Sequence, residues 1–159
     1  MRIGKLACLA AMFLAIGTAV TSTRAADDPA AGSWTVNLAK SKYSPGPAPK
    51  STTVTIKIEN NTEIYESDGM DASGSAIHGS FTAKLDGTDA PVSGIAYADT
   101  VSTKRSSPTH FVAILKKGGA VMMTVHVVIA ADGKSRTVTY SGKNEKGQAE
   151  HDVVFYDKQ

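Results

Sequence analysis

The chain has 159 residues, with 17 basic and 15 acidic side chains and a single cysteine. Its formal charge is +2 and its basic residues cluster only as the pairs Lys104-Arg105 and Lys116-Lys117, which excludes the concentrated basic face of a nucleic-acid binder. One cysteine excludes a disulfide scaffold, so burial and backbone pairing must hold the fold.

Residues 1–25 read as a secretory signal peptide. Arg2 and Lys5 give the positive start and Leu6 to Val20 the apolar run. Thr23-Arg24-Ala25 supplies small residues before a cleavage site after Ala25. At about 15 residues, interrupted by Gly17 and Thr18, the run is shorter than the ~20 that span a bilayer. No membrane span is therefore expected after cleavage. Cys8 lies inside the run, three residues after Lys5, a context that does not fit lipid attachment. Losing Arg2, Lys5 and Arg24 leaves a mature chain of about 134 residues with a net charge of −1 and no cysteine. That length suits one core and one domain. An exported chain without disulfides fits a bacterial periplasmic or secreted protein.

Residues 26–31 read as a flexible tail and 32–159 as the domain. Ser33 to Leu38 is the first expected strand. Pro45, Pro47 and Pro49 then fix φ at alternate positions and predict an extended strap, with at most a helical turn around Ala39 to Tyr43. Ser51 to Glu59 alternates Val54, Ile56 and Ile58 with Thr53, Thr55 and Lys57, the pattern of a half-buried strand. Asn60-Asn61 tolerates positive φ and predicts a two-residue turn into Thr62 to Asp68. Asp71-Ala72-Ser73-Gly74 turns the chain into Ala76 to Leu85, and Asp86-Gly87 marks a break. Tyr97 to Lys104 and His110 to Leu115 follow. Val121 to Ile129 carries the strongest alternation, then come Arg136 to Ser141 and, after Asn144-Glu145-Lys146-Gly147, Glu150 to Tyr156. No window after the leader shows helical periodicity with caps. Turns at this spacing predict an all-β chain, a small antiparallel meander β-barrel of about 8–10 strands.

Gly69, Gly74 and His78 recur with the spacing of Gly142, Gly147 and His151. Either a duplicated unit or the regular turn spacing of any meander produces this pattern.

Catalytic constellations are missing from the pattern. There is no Gly-x-Ser-x-Gly elbow, and Gly133-Lys134-Ser135 lacks the earlier glycine of a phosphate loop. Asp71, Asp86, Asp132 and Glu145 fall in or near turns, where carboxylates bond their own backbone or water. His78, His110, His126 and His151 are not paired at zinc spacing. His126 sits mid-strand beside Met122, opposite Val125 and Val127. It faces solvent if Met123, Val125 and Val127 point inward, and faces the interior if the strand is inverted. Candidate cavity residues are Tyr65, Met122, Met123, His126 and Tyr140.

The opening Gly32-Ser33-Trp34 and the closing Val153-Val154-Phe155-Tyr156-Asp157-Lys158 resemble the two ends of calycin barrels, the lipocalins and fatty-acid-binding proteins. The run from Trp34 to Tyr43 with its proline strap is similar to exported bacterial lipocalin-like proteins of unassigned activity. The resemblance implies that Trp34 is a structural plug closing one end, against a basic side chain from a late strand. Two features differ: the strap stands where fatty-acid-binding proteins have a helical lid, and Lys158 where lipocalins usually have an arginine. The expected function is an exported, non-catalytic carrier of a small apolar or amphipathic molecule, without a cofactor. The alternatives are an envelope structural or interaction protein with a filled barrel, and a haem-binding barrel or small enzyme using an inward His126 or His110.

Overall fold

The computed structural model describes residues 28–143 and 146–159, so the expected leader and Asn144-Glu145 lie outside the described residues. Ten strands make up the domain: β1 (Gly32–Val36), β2 (Ser51–Glu59), β3 (Thr62–Met70), β4 (Ala76–Lys84) and β5 (Asp86–Ser93) are followed by β6 (Thr100–Ser107), β7 (His110–Lys117), β8 (Ala120–Ile129), β9 (Ser135–Lys143) and β10 (Ala149–Lys158). Each pairs antiparallel with the next, and β1 pairs with β10, closing the barrel. Closure removes the exposed edges that an open sheet of this length would carry. The observed architecture is the all-β antiparallel meander barrel that the turn spacing predicts.

Local chemistry explains the strands. In β2, Val54 and Ile56 are buried while Thr53, Thr55 and Lys57 are exposed, the period-two signature of a sheet with one dry face. Asn60 and Asn61 adopt φ of 49° and 59°, so a two-residue turn sets Ile58 opposite Glu63 and Ile56 opposite Tyr65. In β8, Met123, Val125 and Ile129 are buried and His126 is exposed, which settles the orientation of that strand.

The sequence signal fails at β5, where it predicts only a break. Asp86, Gly87, Asp89 and Pro91 give this segment little β propensity. It is a strand because it is laid against β6, with a register shift between Asp86 and Asp89. Its seam with β4 has just two opposed pairs, Ser80 with Ser93 and Phe81 with Val92. The predicted strand from Tyr97 begins instead at Thr100, because the Ala98 N–H donates to the Ile95 carbonyl (3.1 Å) and bends the chain into a loop. The strap does more than cross the surface. The Lys42 and Val153 backbones exchange hydrogen bonds of 2.8 and 2.9 Å, and the His151 N–H donates to the Ser44 carbonyl at 2.8 Å. Past a turn after β1, the strap thus continues the ladder along β10.

The meander sends all connections to two ends. The start of β1, the end of β10 and the connections after β2, β4, β6 and β8 share one end; the strap and the connections after β3, β5, β7 and β9 share the other. At the first end, residues 28–31 are fastened rather than loose, which corrects the expectation of a tail there. Trp34 Nε1 donates to the Ala30 carbonyl (3.0 Å), Lys158 Nζ donates to the Pro29 carbonyl (3.2 Å), and Arg105 Nη2 donates to Asp28 Oδ1 (3.0 Å). Trp34 is wholly buried. The Arg136 guanidinium lies 4.9 Å from the centroid of its ring and the Lys158 ammonium 5.0 Å. Gly32 makes the second contact possible, since a Cβ there would come within 2.7 Å of Lys158 Cε.

Trp34 is the sole tryptophan, so its emission reports this end directly. The native protein should emit in the blue and resist acrylamide quenching. Trp34→Ala should lose ~3–5 kcal/mol in urea unfolding. A solvent-like native spectrum would refute the plug.

Candidate ligand cavity

Because alternate side chains of every strand point inward, the barrel encloses a space whose walls are set by register. A cavity of about 370 Å³ fills it, a size typical of small-molecule sites. Tyr65, Phe81, Leu115, Val125, Val138 and Tyr140 form its middle. Tyr65 and Phe81 stack with centroids 4.6 Å apart and ring planes 7° from parallel. The cavity is edged at the end opposite Trp34 by Tyr43, Pro49, Ile95, Tyr97, Glu150 and Asp152. Gly94 permits the tight loop at this mouth: its φ is +77°, and a side chain there would collide with the His78 carbonyl.

The closed end is polar. Glu63 from β3, Thr103 from β6 and Arg136 from β9 are 8%, 2% and 5% exposed, and all three line the cavity. Arg136 is gripped between aromatic rings, 4.9 Å from the Trp34 centroid and 4.7 Å from that of Tyr156. Its Nε has no hydrogen-bond partner, and neither has Thr103 Oγ1. Burial pushes the Glu63 carboxyl up to about 7, against the opposing pull of Arg136, the nearby Thr103 hydroxyl and Arg105. Arg105 is already committed to Asp28, to the Ser107 and Pro108 carbonyls and to the face of Phe111.

Burial also raises the phenols of Tyr65, Tyr140 and Tyr156, so they stay neutral hydrogen-bonding groups at any ordinary pH. At the mouth, burial raises Glu150, helped by the charge of Asp152; Asp152 is raised by burial and partly offset by the Ser44 N–H, 2.8 Å from its Oδ1.

Of the residues singled out from sequence, Tyr65 and Tyr140 line the cavity. Met123 points inward and is completely buried, though it is not among the lining residues. Met122 and His126 do not reach the cavity, a correction that follows from the pleat: with Met123, Val125 and Ile129 inside, their neighbours point out. His110 is likewise exposed, bonded through Nδ1 to the Ser107 and Thr109 hydroxyls. His78 and His151, the residues of the possible repeat, are both exposed, and each Nδ1 meets a cross-strand partner ten residues earlier, Asp68 at 2.8 Å and Ser141 at 3.0 Å. Of the four histidines, His78 alone is among the lining residues of the cavity, with its Nδ1 held by Asp68. Among the described residues, no group of three or more histidine, cysteine, aspartate or glutamate side chains is placed to hold a metal.

Sequence reasoning missed Glu63, Thr103 and Arg136. For Glu63 a signal exists: the two-residue turn places it opposite Ile58, and residues directly opposite share a face.

The fold and site together define a closed ten-stranded barrel around an accessible, aromatic cavity with a polar closed end. No family model and no curated protein matches the chain.

Burying Glu63 has a price in stability. Its carboxyl goes from an ordinary 4.5 to about 7 on folding, so the folded state holds the proton more tightly. Stability is therefore greatest below about 4.5 as far as this group is concerned, and declines as pH rises through about 7, by about 3 kcal/mol in all. Glu63→Gln should unfold at higher urea than wild type at pH 8 and lose that advantage near pH 5. An equal difference at both pH values would refute the assignment.

Proposed function

We propose that this protein is an exported, non-catalytic carrier that holds a small apolar or amphipathic molecule inside a lipocalin-like barrel. The observation that carries it is the cavity of about 370 Å³, lined mainly by aliphatic and aromatic side chains and reaching the surface beside the strap. A barrel built only as a structural element gains by filling its interior, since each void forfeits contacts. The calycin-like features of the sequence support the same reading. Trp34 closes one end against Arg136, a basic residue of a late strand, as that resemblance implies. An enclosed apolar body is desolvated on entry, while the tyrosine hydroxyls and the closed-end polar groups orient it.

Protein purified from its own host should retain a small molecule in native mass spectrometry. After delipidation, a hundredfold excess of that molecule over Kd should add about 2.7 kcal/mol of stability and raise Tm by more than about 5 °C. Ala113→Phe, which puts a ring into the cavity from its wall, should abolish the retained mass while the barrel still folds. A clean apo mass from the host, with no thermal response to apolar or amphipathic compounds, would overturn the carrier reading.

A further inference from the structure

Glu63 and Arg136 share the closed end of the cavity without forming a contact ion pair; the contact pairs among the described residues are His78–Asp68, Arg105–Asp28 and Lys116–Asp89. Both side chains are more than nine-tenths buried, and Arg136 keeps an unpartnered Nε. A buried donor without an acceptor is costly, and so is a buried hydroxyl such as Thr103 Oγ1 that has no partner. The two residues that carry these atoms, Thr103 on β6 and Arg136 on β9, line one cavity, and together they ask for a ligand that brings an acceptor.

The charge that acceptor can carry depends on the company of Arg136. Arg105 is neutralised by Asp28, and the Lys158 ammonium rests on the Pro29 carbonyl over Trp34. Glu63 is the carboxylate that remains. Facing it are Arg136 from β9, Arg105 and Thr103 from β6, and Tyr65 on its own strand, while β2 and β4 set the uncharged Ile58 and Ala83 opposite it.

We propose that Glu63 selects the ligand's head group: charged, it balances Arg136 and the closed end receives an uncharged acceptor such as a hydroxyl or carbonyl; protonated, it leaves Arg136 unbalanced and the closed end receives a carboxylate. The proposal rests on the carrier reading and adds to it an orientation, head toward Trp34 and apolar body toward the strap, and a specificity that changes with pH. Because the Glu63 carboxyl titrates at about 7, the change falls within the range an exported bacterial protein meets. The sign is fixed by charge: a second carboxylate is resisted once Glu63 has lost its proton. Anion binding therefore weakens as pH rises.

Decanoate and decanol share an apolar body and differ in the head, so they make the test. Each displaces the neutral fluorophore N-phenyl-1-naphthylamine from the delipidated full-length mature protein, across a pH range in which decanoate is ionised throughout. If only the protonated fraction of Glu63 accepts the anion, decanoate affinity should fall about tenfold between about pH 6 and about pH 8, with decanol unchanged. Glu63→Gln should hold decanoate at its acid-limb affinity over the whole range. Calorimetry of wild type near neutral pH, in buffers of different ionisation enthalpy, should show proton uptake with decanoate and none with decanol, a readout that requires no variant. Glu150→Gln with Asp152→Asn removes the mouth carboxylates and should leave the decanoate profile in place. A flat decanoate profile in wild type, a slope that survives Glu63→Gln, or a slope that vanishes with the mouth variant would overturn the proposal with the carrier reading intact. Failure of the fluorophore and both ligands to bind at any pH would instead bring down the carrier reading, and this proposal with it.

Discussion

The Arg136 guanidinium, gripped between the indole of Trp34 and the ring of Tyr156, ties together strands that are adjacent through closure, β1, β10 and β9. A desolvated cation against an aromatic face is worth roughly 2 kcal/mol or more, which helps offset the cost of removing the charge from water. The arrangement needs the barrel to be closed, since Trp34 lies on β1 and its two aromatic-cation partners reach it from the far end of the chain. Closure, in turn, is what makes an interior at all. The same arginine lines the cavity, and its Nε has no hydrogen-bond partner in the protein.

The interior is graded along the barrel axis. Charge and hydrogen bonding concentrate beside Trp34, aliphatic and aromatic groups fill the middle, and half-buried carboxylates return at the mouth. The gradient arises from pairing register and not from any compact motif: Glu63, Thr103 and Arg136 come from three strands spread over more than seventy residues of sequence. Each of the three is a polar residue at an inward position of a strand, where an apolar side chain would ordinarily be more stable. Such departures from local consistency are where function concentrates.

Much of the fold was legible because strand alternation and turn chemistry are local. Val54, Ile56 and Ile58 declare a dry face, and Asn60-Asn61 declares how the chain returns. β5 was illegible for the same reason: Gly87 and Pro91 speak against a strand, and only β6 beside it overrules them. The cavity was half legible. Tyr65 and Tyr140 stood out as large amphipathic groups on strands, whereas Met122 and His126 were drawn in by residue type and excluded by parity. Arg136 could not be placed from sequence. It stands opposite Ile129 across a connection longer than two residues, and such a connection does not fix register as the Asn60-Asn61 turn does. The fastening of residues 28–31 was hidden too, since Asp28 reaches Arg105 across 77 positions and nothing in a short polar segment advertises a partner so far away.

One line along the barrel wall carries the fewest pairings. Between β4 and β5 two opposed residue pairs stand, where the seam of β3 with β4 has nine and that of β5 with β6 has four, and beside that line lies a hollow over Phe81 and Val92. Girth in a closed cylinder is fixed by its ladders, so outward strain on the wall falls first on the ladder with the fewest rungs. Separating the two strands there breaks two residue pairings, fewer than at any other seam of the barrel.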